Sequence, residues 1–253
     1  MSGHSKWSTI KHGKAITDAR RGKLFTKLTK EVIIATREGG GDPDMNFRLR
    51  MAIQKAKDQN MPSDNIDRAI KKGSGDAGDG AQMLEVLYEG YGPGGVAIML
   101  ETLTDNRNRT VSDVRSTLTK AGGNLAEAGA VAWQFEQKGV IMVEAGEDLA
   151  EELALIAIDE GADDFEAYDS TLEIFSAPGT LEAIRITLEQ NEAKINSSEI
   201  SMVPSHTIEL DNRAAIQTLK LLDKLEDLED VQKVYSNADF SDEAMDQYST
   251  ETG

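Results

Sequence analysis

The charge of this chain changes sign across a glycine-rich stretch, and a single uniform fold unit does not account for both sides of it. Residues 1–79 carry 16 Lys+Arg against 10 Asp+Glu, whereas residues 80–253 carry 11 against 35. The stretch at residues 73–80 (GSGDAGDG) has the composition of a flexible linker. The chain therefore divides there into a basic unit and an acidic remainder. Eight cations fall within the first thirty positions: Lys6, Lys11, Lys14, Arg20, Arg21, Lys23, Lys27 and Lys30, with Asp18 the only acid among them. The net charge of −18 conceals this end. A concentrated cationic segment on an otherwise acidic protein points to a polyanion partner for one end only. The acidic remainder repels nucleic acid, which confines contact to selected surfaces and leaves a face suited to a protein partner.

At 253 residues the chain is long enough for two or three domains. Its 39% apolar and 28% charged content fits a soluble globular protein. No run approaches the roughly 18 apolar residues that a membrane span needs, so no membrane partner is expected. The start has no apolar core of a secretory signal. The sequence contains no cysteine, which excludes disulfides, thiolate metal sites and a cysteine nucleophile. These features together fit a cytoplasmic protein.

The first third reads as helices. Over residues 14–38, Phe25, Leu28, Val32 and Ala35 keep helical spacing. Arg20, Lys23, Lys27, Lys30 and Arg37 follow steps of 3, 4, 3 and 7 on a different face of the same helix. The glycines at 39–41 with Pro43 end it. A second helix is predicted over 45–59, with Leu49, Ala52, Ile53 and Ala56 inward. A third opens at 62–64, with Ser63 as its candidate cap.

Strands and helices alternate after the linker. Residues 83–91 and 96–104 read as strands around a Gly-Pro turn, 110–121 as a helix and 131–136 as a strand. Residues 140–203 then spell strand, helix, strand, strand, helix, strand, the ferredoxin-like βαββαβ order. A strand at 207–210, a helix at 213–225 and a strand at 231–235 read as the closing pieces of the sheet begun at 83. The expected fold is α+β with three domains: a basic helical domain (1–79), an α/β domain (80–137 plus 204–237) and a ferredoxin-like domain (138–203) inserted into it. The polar, acidic end (238–253) is expected to be disordered.

Residues 90–95 (GYGPGG) match G-x-G-x-x-G as a string. Dinucleotide chemistry needs a helix N-terminus directly after the glycines, and here a strand follows, so a sharp hairpin loop is expected. Residues 105–110 (DNRNRT) lie between a strand and a helix. Arg107 and Arg109 suit phosphate contact there. The other reading is helix capping by Asn108 or Thr110, with the arginines paired to nearby acids. Trp7 has two readings as well: a ring that stacks on a base, or an anchor onto the helical domain. His4, His12 and His206 are scattered without metal-ligand spacing, and no nucleophile arrangement is present. No cofactor, metal site or catalytic constellation is expected.

Several segments together resemble the YebC/PmpR family, which includes mitochondrial translational activators of cytochrome oxidase. They are residues 3–7 (GHSKW), 18–27 (DARRGKLFTK), 37–44 (REGGGDPD), 60–62 (NMP), 88–95 (YEGYGPGG), 104–111 (TDNRNRTV), 122–125 (GGNL) and 225–235 (LEDLEDVQKVY). The resemblance runs to about Tyr235. Asn46-Phe47 departs from it, standing where the family often has Asn-Pro. The resemblance implies a helical N-terminal domain and two α/β domains, one inserted in the other. It also implies a non-enzymatic, cytoplasmic regulator of gene expression that binds DNA. Some members are instead described as translation factors on stalled ribosomes, which would make ribosomal or transfer RNA the polymer. The residues expected to bind nucleic acid are Lys6, Lys11, Lys14, Arg20, Arg21, Lys23, Lys27, Lys30, Arg107 and Arg109.

Overall fold

The computed structural model describes residues 18–75, 83–168 and 170–252. Three helices open it: α1 (Asp18–Gly39), α2 (Phe47–Asp58) and α3 (Ser63–Gly73). The inward stripe of α1, Leu28, Val32 and Ala35, is buried, and Leu49, Ala52 and Ala56 of α2 and Ile66 and Ala69 of α3 are buried with it. Gly40, at φ 87°, turns the chain out of α1. Asn46 fixes the next entry. Its side chain accepts from the Leu49 amide at 3.0 Å and donates to the carbonyls of Ala35 and Gly40, both at 2.7 Å. Phe47 therefore occupies the first helical position, which tolerates proline equally well. The departure at Phe47 leaves the helix start intact. Ser63 is the first residue of α3 rather than its cap; Pro62 precedes the helix without a side-chain cap bond.

The second domain is built on β1 (Leu84–Tyr91) and β2 (Ala97–Thr104), an antiparallel hairpin. Its tip holds a single 3-10 turn, Pro93–Gly95, with Gly94 at φ 72°. A strand follows it, so the glycines make a hairpin and present no helix N-terminus to a phosphate. The sheet order is β3 (Asn124–Leu125), β1, β2, β9 (Val231–Ser236). β2 is central and buried on both faces: Ile98 and Leu100 face α4 (Arg107–Lys120) and α7 (Asn212–Glu226), and Ala97 and Met99 meet Val131, Phe135 and Tyr235.

The chain leaves this sheet for a second one before returning. β4 (Phe135–Glu144), α5 (Glu147–Asp159), β5 (Ala162–Tyr168), β6 (Thr171–Ser176), α6 (Leu181–Gln190) and β7 (Lys194–Pro204) follow in order, and the sheet runs β5-β6-β4-β7 with every pair antiparallel. That is the ferredoxin-like order. Ile141, Val143, Leu172 and Ile174 line one face and pack on Leu153, Ala157, Ile184 and Leu188 of the two helices. The single strand β4 replaces the two strands expected at 131–136 and 140–144, and residues Ala132–Gln134 form a 3-10 turn ahead of it.

Two expectations are corrected at the C-terminal end. β8 (Ile208–Glu209) does not join the larger sheet; it pairs in parallel with β10 (Ala238–Asp239). Residues 238–252 are also ordered rather than disordered. β10 leads into α8 (Asp242–Thr252), and Phe240, Ala244, Met245 and Tyr248 are buried in the same core as α7. The acids that made this stretch read as solvated lie on its outer side, while Ala244 and Tyr248 keep an i,i+4 apolar spacing.

Candidate nucleic-acid interface

The inward stripe of α1 fixes the direction of its other face. Lys23, Lys27 and Lys30 share that face and all three reach the turn between α7 and β9, about two hundred positions away. Lys23 Nζ stands 3.6 Å from the Asp227 carboxylate, an exposed pair worth little by itself. Lys27 Nζ donates to the Glu226 carbonyl at 2.5 Å. Lys30 Nζ donates to Asp230 Oδ1 at 2.7 Å and to the Glu229 carbonyl at 3.2 Å.

Asp230 is the centre of this contact. Its side chain is 6% exposed. Besides Lys30 it accepts from Arg109, whose Nη2 and Nε lie 2.8 and 3.2 Å from Oδ2, and from the Thr110 hydroxyl at 2.8 Å. The Thr104 hydroxyl lies 3.3 Å away. The Asp230 backbone carbonyl accepts from the Leu103 amide of β2 at 2.8 Å, so the carboxylate is held from its main chain too. Burial alone would push the Asp230 carboxyl up. Hydrogen bonds from Lys30, Arg109 and Thr110, with the charge of Lys30, outweigh it and hold the group below the ordinary carboxylate range.

The two arginines of the 105–110 segment separate. Asn106 caps α4 by accepting from the Arg109 amide at 3.1 Å, a role expected of Asn108 or Thr110. Arg109 pairs with Asp230 and, at 2.9 Å, with Asp105, which is the acid-paired alternative. Arg107 is exposed at the first turn of α4, and the Tyr88 hydroxyl donates to its carbonyl at 3.4 Å. Arg21 and Lys23 are exposed on the first turns of α1, and Lys27 and Lys30 are partly buried. Lys6, Lys11 and Lys14 lie outside the described residues, as do His4, Trp7 and His12. Arg20 lies in α1, with its side chain outside them.

Sequence reasoning missed Asp230, Thr104 and Thr110 as a set. Thr104 and Thr110 belong to the one segment at 104–111, but Asp230 stands 120 positions beyond Thr110, and no local spacing joins it to them. It also missed a second buried carboxylate. Glu89, on β1, accepts from the amides of Gly129, Val131 and Ala132 at 2.6, 2.7 and 2.9 Å. Burial would raise its pKa, but these three backbone donors hold it below the ordinary range. The pinned loop carries Trp133, which is 72% exposed, with its indole N–H spent on the Ala130 carbonyl at 3.0 Å. On the helical domain, Lys57, Lys71 and Lys72 are further exposed cations that sequence reasoning did not single out. Met45 and Phe47 are exposed at the start of α2, with the Arg50 guanidinium 5.5 Å from the Phe47 ring centre. No helix among the described residues is long and apolar enough to cross a membrane.

Comparison with known proteins finds matches over nearly the whole chain. Residues 5–76 match the family model described as the TACO1/YebC protein N-terminal domain, and residues 83–238 match that described as the TACO1/YebC second and third domain. A probable transcriptional regulatory protein of Dehalococcoides mccartyi is 57% identical over 248 residues, covering 98% of each chain. One of the same description from Natranaerobius thermophilus is 51% identical over 249 residues, covering 97% of this chain and 99% of the other. The crystal structure of a conserved hypothetical protein from Aquifex aeolicus superposes with a TM-score of 0.80 at 47% identity, over 89% of this chain and 93% of that one.

Proposed function

This chain belongs to the TACO1/YebC family, and from that premise we propose that it is a non-enzymatic, DNA-binding regulator of transcription in the cytoplasm. The observation that carries the reading is the alignment of Lys23, Lys27 and Lys30 on one face of α1, at the end of a chain segment that holds eight cations and one acid in its first thirty residues. Relatives that match it end to end are named probable transcriptional regulatory proteins, which supports a nucleic-acid partner. The mechanism is phosphate neutralisation by the basic lead and α1, with Arg107 as a second contact at the start of α4. The acidic α/β domains repel DNA elsewhere and offer a face to a protein partner.

The test is the salt dependence of binding to duplex DNA. Arg21→Ala, Lys23→Ala and Arg107→Ala remove exposed cations and leave the Asp230 contacts in place. Each lost phosphate contact lowers the slope of log K against log salt by about 0.9. The triple variant is therefore expected to bind more weakly and to lose about 2 to 3 from the slope, read by fluorescence anisotropy of a labelled duplex. An unchanged slope would remove these residues from the interface. Tighter binding to structured RNA than to the duplex at equal salt would replace DNA by RNA as the partner.

A further inference from the structure

The lysine row assigned to DNA already has an occupant. Lys23, Lys27 and Lys30 rise along α1 in steps of about 6 and 4.5 Å and end on the turn at residues 226–230. The oxygens they meet are of two kinds. Asp227, Glu229 and Asp230 offer carboxylates, that of Glu229 at 3.8 Å from Lys30 Nζ, and Glu226 and Glu229 offer carbonyls. Glu226 is the last residue of α7, whose C-terminus carries partial negative charge. The turn thus presents a short row of anionic and dipolar oxygens to a row of ammonium groups, as a phosphate backbone would. The same carboxylate, Asp230, also binds Arg109. One acid therefore holds a residue from each of the two cationic segments predicted to touch nucleic acid.

We propose that the α7–β9 turn is an internal mask over the polyanion site of α1, and that DNA reaches Lys27 and Lys30 only by displacing it. This rests on the reading of α1 as the DNA contact. Lys23, exposed at the N-terminal end of the row, makes the first encounter. Lys27 and Lys30 are released as α1 lifts from the turn. Arg48 bridges Glu38 to Glu85 on β1, so lifting also breaks this second tie between the helical domain and the sheet. Binding is then coupled to a rearrangement between the helical domain and the rest, and the coupling is reciprocal: what loosens the turn tightens DNA binding. The acids of the turn also act as a threshold, since nonspecific polyanions must compete with an intramolecular partner at high effective concentration.

The test compares Asp227→Asn with Glu229→Gln, both at exposed positions of the turn, against a charge-matched control on α5, Glu151→Gln with Glu152→Gln. Two probes are used: elution salt from a heparin column, and anisotropy of a random-sequence duplex. The mask predicts that the turn variant elutes from heparin at higher salt than the control and binds the duplex at least about fivefold tighter, the lower end of coupling between linked sites. Co-elution of the two double variants overturns the mask, and if both still bind the duplex, the DNA reading survives it. A heparin difference with no duplex binding by any form supports the mask and ends the DNA reading instead. Failure of every form to stay on heparin overturns the mask, because the lysines then engage no polyanion.

Discussion

Asp230→Ala is expected to cost about 3 kcal/mol of stability, the lower end for removing one partner of a buried ion pair. Lys30, 13% exposed, loses its nearer carboxylate and keeps only that of the exposed Glu229 at 3.8 Å, and the buried hydroxyl of Thr110 loses an acceptor. Arg109 is nearly half exposed and rehydrates, which is why the lower end applies. In urea the midpoint should fall by about 1 M or more, and α1 should become sensitive to proteolysis before the sheets unfold. Asp230→Asn keeps the shape and one acceptor oxygen and should recover part of the loss. The sign of the pH dependence follows from the direction of the shift. Because folding depresses the Asp230 pKa, its contribution is fully present above the ordinary aspartate value and is lost as pH falls through the lower, folded value. The contact between α1 and the turn should therefore hold at neutral pH and release only in acid below the ordinary carboxylate range, read as the pH at which the difference between wild type and Asp230→Ala disappears.

The second large effect is expected at the C-terminal end. Tyr248 is fully buried among the residues of α7, and its hydroxyl donates to Asp223 at 2.8 Å. Tyr248→Ala should cost about 3–5 kcal/mol, as for other large aromatic truncations in cores. For a chain of this size that lowers the melting temperature by about 6–20 °C. Tyr248→Phe removes only the hydrogen bond and should cost about 1 kcal/mol. A melting temperature unmoved by Tyr248→Ala would mean that α8 is not packed on α7. The pair Lys220–Glu251 at 2.6 Å joins the same two helices, but it is exposed and contributes little.

The contrast between these residues explains what the sequence reveals. The inward stripes of α1 and α2 are legible because their periodicity is local: Leu28, Val32 and Ala35, or Leu49, Ala52 and Ala56, declare a face without reference to the rest of the chain. The βαββαβ order is legible for the same reason, since each strand and helix carries its own period. The basic face of α1 is legible as a face but not in its destination. Nothing around Lys30 says that its partner is Asp230, and the scarcity of acids within α1 reads as an open surface when the acids arrive from another domain. Arg109 shows the same limit, since its two acids are one turn away and 121 positions away. The helix α8 is hidden by composition: Asp242, Glu243, Asp246 and Glu251 dominate the segment and mask the apolar positions between them. At the helix starts, where several polar residues stand together, the choice of cap is set by backbone geometry, so Asn106 rather than Asn108 or Thr110 serves α4.

The measurement that bears most directly on the central claim is ultraviolet crosslinking of the tagged full-length protein in cells, with sequencing of the attached DNA and the attached RNA and mapping of the crosslinked peptides. A DNA-binding regulator predicts enrichment of discrete promoter segments joined to peptides from the N-terminal basic region. Enrichment of ribosomal or transfer RNA at one location, with no DNA above background, would contradict it.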